Sequence, residues 1–459
     1  MNLTIPCETQ AREFDAKLLL SCFAAERGHS VIVGSKKAIN VRAGSLPTSI
    51  YLSKSLTIRN LFTYELLERL GHTIICGDEE GLVYASAQSY LHHKVAARTF
   101  RKADALLAWG AENAHVWREF EGFHGAPIYE TGNARVDLLR SEMRPLFEES
   151  VTRLRAEYGK FILINTNFSR LNHYFPGQSR QANKLRDASA EADVTQHLDL
   201  GLAAHKSVLF DHFLAMVPAI ASAHPEHTVV VRPHPSEKRE TWTQATAGLA
   251  NVRVVHEGNV VPWILASDLL IHNGCTTAIE AYVLGKTALA FQPEVSEDFD
   301  LHLPNKLSVR AYDLDSLLDL AKAHLSTGLP RDDAEEAEKK RLISQYVASV
   351  DGPLACERIV TAIEEFAREA GASKQLDATR RTLAKAGAVL RGIIQRCEAH
   401  IPGHHNNAKY LRHMFPGATL AEVEKQVSRY GAILGRFENV HTRQICENVF
   451  KLTGGPERS

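Results

Sequence analysis

The sequence predicts an α/β protein built from two successive doubly wound, parallel-sheet domains with a helical C-terminal extension. Three observations predict it. The length of 459 residues exceeds one ordinary domain and suits two or three. Short apolar runs alternate with amphipathic helical stretches, which is the pattern of βαβ units. That alternation stops after Ile128–Thr131, gives way to a charged helical stretch near Ser141–Tyr158, and restarts at Phe161–Thr166.

In the first domain, residues 1–140, Leu3–Cys7 is an apolar run and reads as a strand. Arg12–Arg27 is a helix ended by Gly28, and Ser30–Gly34 a strand. Thr57–Leu70 is a helix ended by Gly71, and Thr73–Gly77 a strand. Glycine after the last periodic residue marks a helix stop, because it takes the left-handed cap without a Cβ penalty. Gln88–Arg101 reads as a helix, and Ala105–Trp109 and Ile128–Thr131 as strands. Residues 141–158 are an interdomain helical linker. In the second domain, residues 159–330, the strands are Phe161–Thr166, Thr228–Arg232, Val252–His256, Leu269–His272 and Thr287–Phe291. Each is a short apolar run, as strands buried on both faces require. His205–Ser222, Pro262–Ala266 and Thr276–Leu284 are the helices between them, the last ended by Gly285.

Residues 169–200 are polar and form a long connection of the functional-loop or disordered kind. Residues 331–370 are charged helices closing the second domain, with the run 331–341 a solvated helix face. From residue 371 the pattern is wholly helical, and Thr419 with Glu422 forms a capping box at the start of a helix running toward Lys451.

The composition, 44% hydrophobic and 23% charged, is that of a soluble globular protein. Residues 371–459 hold 14 Lys/Arg against 7 Asp/Glu, a balance of +7, which leaves −8 for residues 1–370 of the net −1. No nucleic-acid motif accompanies the basic segment, so a nucleic-acid partner is not expected. The seven cysteines are scattered and never spaced CxxC, against a disulfide scaffold or structural zinc and in favour of a reducing cytosol. The start lacks the layout of a signal peptide, and no apolar stretch approaches the ~20 residues of a bilayer span. A cytoplasmic location is expected, with any membrane contact peripheral.

Ligands on open parallel sheets bind beyond the carboxyl ends of the strands, so candidate residues come directly after each strand. After Thr228–Arg232 come Pro233, His234, Pro235, Ser236 and Glu237. The prolines fix the backbone, and an imidazole held beside Arg232 suits a phosphate or carboxylate; the plain alternative is a loop histidine with Ser236 as a helix cap. After Leu269–His272 come Asn273, Gly274, Cys275, Thr276 and Thr277, opening a helix that carries Glu280. Gly274 permits close backbone approach, and the threonines place hydroxyls and N–H groups at a helix N-terminus, an anion site or an ordinary cap. After Thr73–Gly77, Asp78, Glu79 and Glu80 crowd together. Crowding raises at least one carboxyl pKa, as a general base or acid needs, and Glu79 or Glu80 is the favoured base; a solvated acidic loop is the alternative.

Asn165 and Asn167 lie at the end of the first strand of the second domain, and Glu8 and Arg12 after the first strand of the chain, as possible substrate contacts or turn formers. Thr131–Asp137 reads as a turn closing the first domain. His400, His404, His405 and His413 show no helical HxxxH pair with a carboxylate, so no metal is expected there. GxxxxGK[ST], GxGxxG and GxSxG are absent, against NTPase, dehydrogenase and hydrolase readings.

RPHPSE (Arg232–Glu237) followed by HNGCTTAIEA (His272–Ala281) is similar to a bacterial family of surface carbohydrate biosynthesis proteins. Glu8–Leu20, Gly77–Tyr84, Ala108–Gly110, Thr131–Arg140 and Ile162–Phe168 also resemble it, in the same order, over most of residues 1–310. Two doubly wound domains facing across a cleft resemble the GT-B glycosyltransferase fold. More distantly, the His-Pro turn and the hydroxyl pair resemble those of bacterial sialyltransferases and capsule Kdo transferases, which bind CMP-sugars there.

The resemblance implies a glycosyltransferase of capsule or lipopolysaccharide type. It would transfer a Kdo-like ulosonic acid from a CMP-sugar to a glycan or lipid-linked acceptor. Arg232, His234, Pro235, Ser236, His272, Asn273, Gly274, Thr276, Thr277 and Glu280 would hold the nucleotide-sugar. Glu79, Glu80 and His234 would be catalytic, and Glu8, Arg12, Asp78, Asn165 and Asn167 would contact substrate. No cofactor is required beyond the nucleotide-sugar itself. Glu79-Glu80-Gly81 resembles the acidic-acidic-Gly motif of retaining Kdo transferases. The aspartate those enzymes carry after the first strand of the second domain is replaced here by Asn165-Thr166-Asn167, leaving Asp199 or Asp211 as substitutes. A UDP- or CDP-dependent transferase, a UDP-sugar epimerase and a non-catalytic glycan-binding or scaffold protein are the alternatives. The basic segment 371–459 implies either contact with an anionic membrane or polyanionic acceptor, or a brace on the second domain.

Overall fold

A computed structural model describes residues 1–174, 194–370, 378–401, 404 and 406–455. The chain divides into two compact units, one of residues 1–82, 87–146 and 341–459, the other of residues 83–86 and 147–340.

The first unit is a parallel sheet of β1 (Asn2–Cys7), β2 (Ser30–Ser35), β3 (Ile50–Ser53), β4 (Thr73–Gly77), β5 (Ala105–Ala108) and β6 (Ile128–Glu130), in the order β2-β1-β3-β4-β5-β6. β1 pairs with β2 and β3 on its two sides, so the order reverses there and the sheet has its switch point between β1 and β3. Helix Asp15–Glu26 is buried along nearly its whole length, from Ala16 to Ala25.

The second unit holds β7 (Phe161–Asn165), β8 (Thr228–Arg232), β9 (Val252–Val254), β10 (Leu269–His272), β11 (Ala288–Phe291) and β12 (Val309–Ala311). Their order is β12-β11-β10-β7-β8-β9 and all are parallel. Counted from β7 this is the 3-2-1-4-5-6 order of dinucleotide-binding sheets, with its switch point between β7 and β10. Helix Val194–Ala223 packs Leu209, Phe213, Met216 and Ile220 into the core beside Ile162, Ile164 and Trp242.

Several expectations change. The helix expected over Gln88–Arg101 is two short ones, Ala87–Lys94 and Ala97–Phe100. β3, β12 and helix Lys36–Val41 are additional to the elements expected from the sequence.

The extension is not wholly helical. Helices Ala378–Glu398, Ala408–Met414 and Leu420–Leu434 are followed by a hairpin of β13 (Val440–Cys446) and β14 (Val449–Gly454). β14 pairs antiparallel with β2 and extends the first sheet to eight strands. Its Val449, Phe450 and Leu452 are buried, and Gly34 lets it approach, since a Cβ there would lie 2.1 Å from the Asn448 carbonyl oxygen. The expected capping box is present, with Thr419 and Glu422 each accepting the other's backbone N–H, but its helix ends at Gly435 instead of running on toward Lys451.

The extension also braces the first unit, not the second. Gln10 exchanges two hydrogen bonds with the Gly417 backbone at 2.7 and 2.8 Å. Tyr430 donates to the Asp15 carbonyl at 2.9 Å, and Phe415 packs edge-on against Phe14. Helix Ala355–Glu369, expected to close the second domain, belongs to the first unit as well. The buried Asp137 carboxylate caps it, accepting from the Ala355 and Cys356 N–H groups at 2.7 and 2.8 Å. Thr131–Asp137 is therefore an anchoring segment as well as a turn. No helix among the described residues is long and apolar enough to cross a membrane. Part of the expected loop 169–200, residues 175–193, lies outside the described residues.

Candidate functional site

At the carboxyl edge of the second sheet, Asn165 ends β7 in register with Arg232 of β8 on one side and His272 of β10 on the other. Three of the predicted segments therefore end level at the switch point. Asn167 crosses it, its Nδ2 donating to the Gly274 carbonyl at 3.3 Å.

The His-Pro turn is held by a buried carboxylate. Glu237 Oε1 accepts from the Thr166 hydroxyl at 2.9 Å, the Phe168 N–H at 2.8 Å and the His234 N–H at 3.2 Å, while Oε2 accepts from Trp242 Nε1 at 3.0 Å. Burial pushes this carboxyl up, and the hydrogen bonds pull against that shift. His234 Nδ1 accepts from the Ser236 N–H at 3.2 Å, which places the proton of a neutral ring on Nε2 and makes that nitrogen a donor. Arg232 is braced from behind, donating to the Glu257 and Gly258 carbonyls, with its guanidinium 5.8 Å from the centre of the Trp263 ring. Burial lowers its pKa to about 10 against the attraction of Glu280 and Glu257.

Helix Thr276–Val283 starts at the same edge. Gly274 has φ +75°, a conformation glycine adopts without strain. Its N–H donates to His272 Nδ1 at 2.9 Å, and His272 Nε2 reaches the Ser308 hydroxyl at 2.8 Å. His272 is fully buried, and burial pushes its pKa down to about 3. It shapes the glycine turn with both nitrogens engaged, which corrects its expected part as a nucleotide contact. The side chains of Asn165 and Asn273 are buried, yet among the described residues neither amide oxygen nor nitrogen of either has a partner. Buried amides normally find partners, so two orphaned ones beside an arginine and a helix N-terminus mark a place that a polar ligand would complete. Cys275 Sγ and Thr277 Oγ1 lie 2.6 Å apart at the helix start.

Lys206, on helix Val194–Ala223, is also buried. Burial lowers its pKa, opposed by Asp300, Cys275 and Glu237, and its charge depresses His272. Lys206 is not among the residues expected from the sequence, and Glu237 is expected only as part of the His-Pro turn, with no role of its own. A lysine inside an otherwise apolar helical stripe is the signal for the first; nothing local distinguishes the second. Asp211 is exposed on the same helix, and the Asp199 side chain lies outside the described residues.

The first unit carries a pocket at its own switch point, lined by Glu13, Lys17, Lys54, Asp78, Glu79 and Arg135 among others. Glu13 accepts from Lys17 at 2.8 Å and from Lys54 at 2.5 Å, and Lys54 also reaches Glu8 at 3.0 Å. Burial would raise the Glu13 carboxyl, but Lys17 and Lys54 outweigh it and hold it well below the usual range; Lys54 and Lys36 do the same, more weakly, for Glu8. Glu79 stands 3.8 Å from Lys17 and 3.9 Å from Arg135, with Asn133 Nδ2 at 3.4 Å. Burial and the neighbouring Arg135 depress Arg12, against the pull of Glu79 and Glu80.

The carboxyl raised among residues 78–80 is Asp78, and the cause is burial more than crowding. It rises to about 7, while Tyr90 donates to it at 2.9 Å and the Glu80 N–H at 3.0 Å. Asp78 is thus a buried framework group and not an open substrate contact. Glu80, lowered against burial by Lys94 and Arg12, pairs with Lys94 at the surface. Glu79 alone of the two favoured glutamates lines the pocket.

His224, Glu226 and His227 bring three donor atoms within 4.8 Å of one another ahead of β8, at the opposite end of that strand from Arg232. Among the described residues the tail histidines form no such group, and His405 lies outside them.

No protein-family model and no curated protein sequence matches the chain. Solved structures do. The Methanocaldococcus jannaschii UDP-GlcNAc 2-epimerase in complex with UDP-GlcNAc and UDP aligns at TM-score 0.50 and 11% identity, over 80% of this chain and 100% of that one. The wall teichoic acid polymerase TagF, soaked with CDPG, aligns at 0.51 and 13%, over 80% and 89%. The chain has the GT-B fold. At these identities the likeness is one of fold, and in that GT-B frame Asn165, Arg232 and Asn273 occupy the edge where parallel sheets of this order take ligands.

Proposed function

We propose that the chain is a GT-B glycosyltransferase that binds a nucleotide-activated sugar at the carboxyl edge of its second sheet. The observation that carries this reading is the pair of orphaned buried amides, Asn165 and Asn273, between Arg232 and the start of helix Thr276–Val283. An anionic, hydrogen-bonding ligand matches that edge. The N–H groups and hydroxyls of Thr276 and Thr277, the Arg232 guanidinium, the His234 Nε2–H and the Lys206 ammonium together neutralise a phosphate leaving group. Glu280 is suited to ribose hydroxyls.

In the proposed step an acceptor hydroxyl gives its proton to Glu79 and its oxygen bonds the anomeric carbon. The bond from that carbon to the phosphate oxygen breaks, and the nucleotide leaves with the electron pair. β7 ends at Asn165 and runs on into Thr166-Asn167 with no carboxylate, which favours a single displacement over a glycosyl-enzyme intermediate.

The narrower proposal is a CMP-linked, Kdo-like donor and a glycan or lipid-linked acceptor of surface polysaccharide synthesis. It rests on the RPHPSE and HNGCTTAIEA strings. A second reading, a UDP-sugar epimerase, is favoured by the shared fold with the archaeal epimerase, all of whose chain is covered. Incubation with CMP-, CDP- and UDP-sugars separates the two. Sugar transfer with release of CMP supports the first, epimerised UDP-sugar without an acceptor supports the second, and turnover of none removes both.

A further inference from the structure

Helix Ala378–Glu398 buries a stripe of small residues and exposes its large aliphatic ones. Ala384, Ala388 and Gly392 recur every four residues on one stripe and are buried. They pack closely: a Cβ on Gly392 would lie 2.8 Å from the Val41 carbonyl oxygen, and one on Gly44 would lie 3.0 Å from the Ala388 Cβ. Leu383 is 75% exposed, and Val389, Leu390, Ile393 and Ile394, with Ile401 just beyond the helix, are half exposed or more. The Arg391 guanidinium lies 4.4 Å from the centre of the Phe62 ring, and Phe62 and Ile58 are exposed too. An amphipathic surface helix of a globular protein does the reverse, turning its aliphatic stripe inward. Exposed aliphatics gathered on one helix and its neighbour mark an interaction surface.

Charge selects the occupant. Residues 378–398 include Arg380, Arg381, Lys385, Arg391 and Arg396 against Glu398 alone, and Arg42 and Arg59 lie in the adjoining segments against Glu65 and Glu68. A second copy of this face would meet its own cations. An anionic lipid surface meets them with phosphates and receives the aliphatics at the acyl boundary. We propose that helix Ala378–Glu398, with Phe62, lies flat on an anionic bilayer. It does not span one, since no helix among the described residues is apolar enough to do so.

The test is cosedimentation of the full chain with vesicles of phosphatidylglycerol and phosphatidylcholine, and with phosphatidylcholine alone. Binding to the anionic vesicles is expected, with a loss of about tenfold or more for Leu390→Asp combined with Ile394→Asp. Leu383→Asp should weaken it less, and about 0.5 M salt should release much of the protein. Both positions of the double variant are exposed, so its thermal transition should match the parent's. Equal binding to neutral vesicles, no binding to anionic ones, or unchanged binding by the double variant overturns the proposal. So does a concentration-dependent dimer that the same substitutions abolish while vesicles stay unbound. Failure would leave nucleotide binding on the second sheet untouched, because every residue of the patch belongs to the first unit.

Discussion

Glu237 Oε1 accepts the Thr166 hydroxyl at 2.9 Å, tying the loop after β7 to the His-Pro turn after β8. The same carboxylate takes three further donors, from Phe168, His234 and Trp242. Glu237→Ala would leave buried donors without an acceptor. A loss of about 3 kcal/mol or more in urea unfolding is expected, with Glu237→Gln losing less because it keeps one acceptor oxygen. Nucleotide affinity should fall in both, as the turn that presents His234 loosens.

Asn165 separates stability from binding. Its buried amide has no partner among the described residues, so Asn165→Leu removes an unsatisfied polar group at similar volume. The ligand-free variant should be more stable by about 1 kcal/mol, while the thermal shift produced by a bound nucleotide shrinks. A destabilised variant with an undiminished ligand shift would exclude Asn165 from the binding edge.

Asp78 should give the protein a pH-dependent stability. Its carboxyl rises from 3.8 to about 7 on burial, so the folded state holds the proton more tightly than the unfolded chain. Relative to a neutral residue, stability falls as pH rises from about 4 to about 7 and levels off above. Asp78→Asn, which can still engage Tyr90 and the Glu80 N–H, should flatten that slope and gain about 2–4 kcal/mol at pH 8. Calorimetric scans of both proteins at pH 5 and pH 8 measure it.

The two neighbouring glutamates should part company. Glu80 and Lys94 form a largely exposed pair, so Glu80→Gln should alter stability by less than about 0.5 kcal/mol and leave turnover intact. Glu79 lines the pocket between Lys17 and Arg135. Glu79→Gln should lower kcat by about a hundredfold with the fold unchanged by circular dichroism. Equal activity in the two variants would remove Glu79 as the base.

The carboxyl edge of the second sheet is readable in the sequence because Thr228–Arg232 and Leu269–His272 are unbroken apolar runs. Residues just past the end of such a run in a parallel sheet lie at its ligand edge. The role of His272 is not readable, because a turn-shaping histidine and a ligand-binding one look alike until both ring nitrogens are seen engaged. The pairing of Glu13 with Lys17 accords with their four-residue spacing, but Lys54 and Glu79, which meet them from after β3 and β4, are brought there only by the sheet. β13 gives no sequence signal because its residues are mostly polar and none is buried, so no apolar run announces it. Asp78 differs from Glu79 and Glu80 only in which way the chain turns after β4, a tertiary fact.

Titration of CMP, CDP and UDP into the parent protein, Arg232→Ala and Thr277→Val tests the central claim most directly. The second-sheet site predicts saturable binding of at least one nucleotide, weakened about tenfold or more by each substitution with folding intact. No binding of any of the three, or binding that neither substitution weakens, would contradict it.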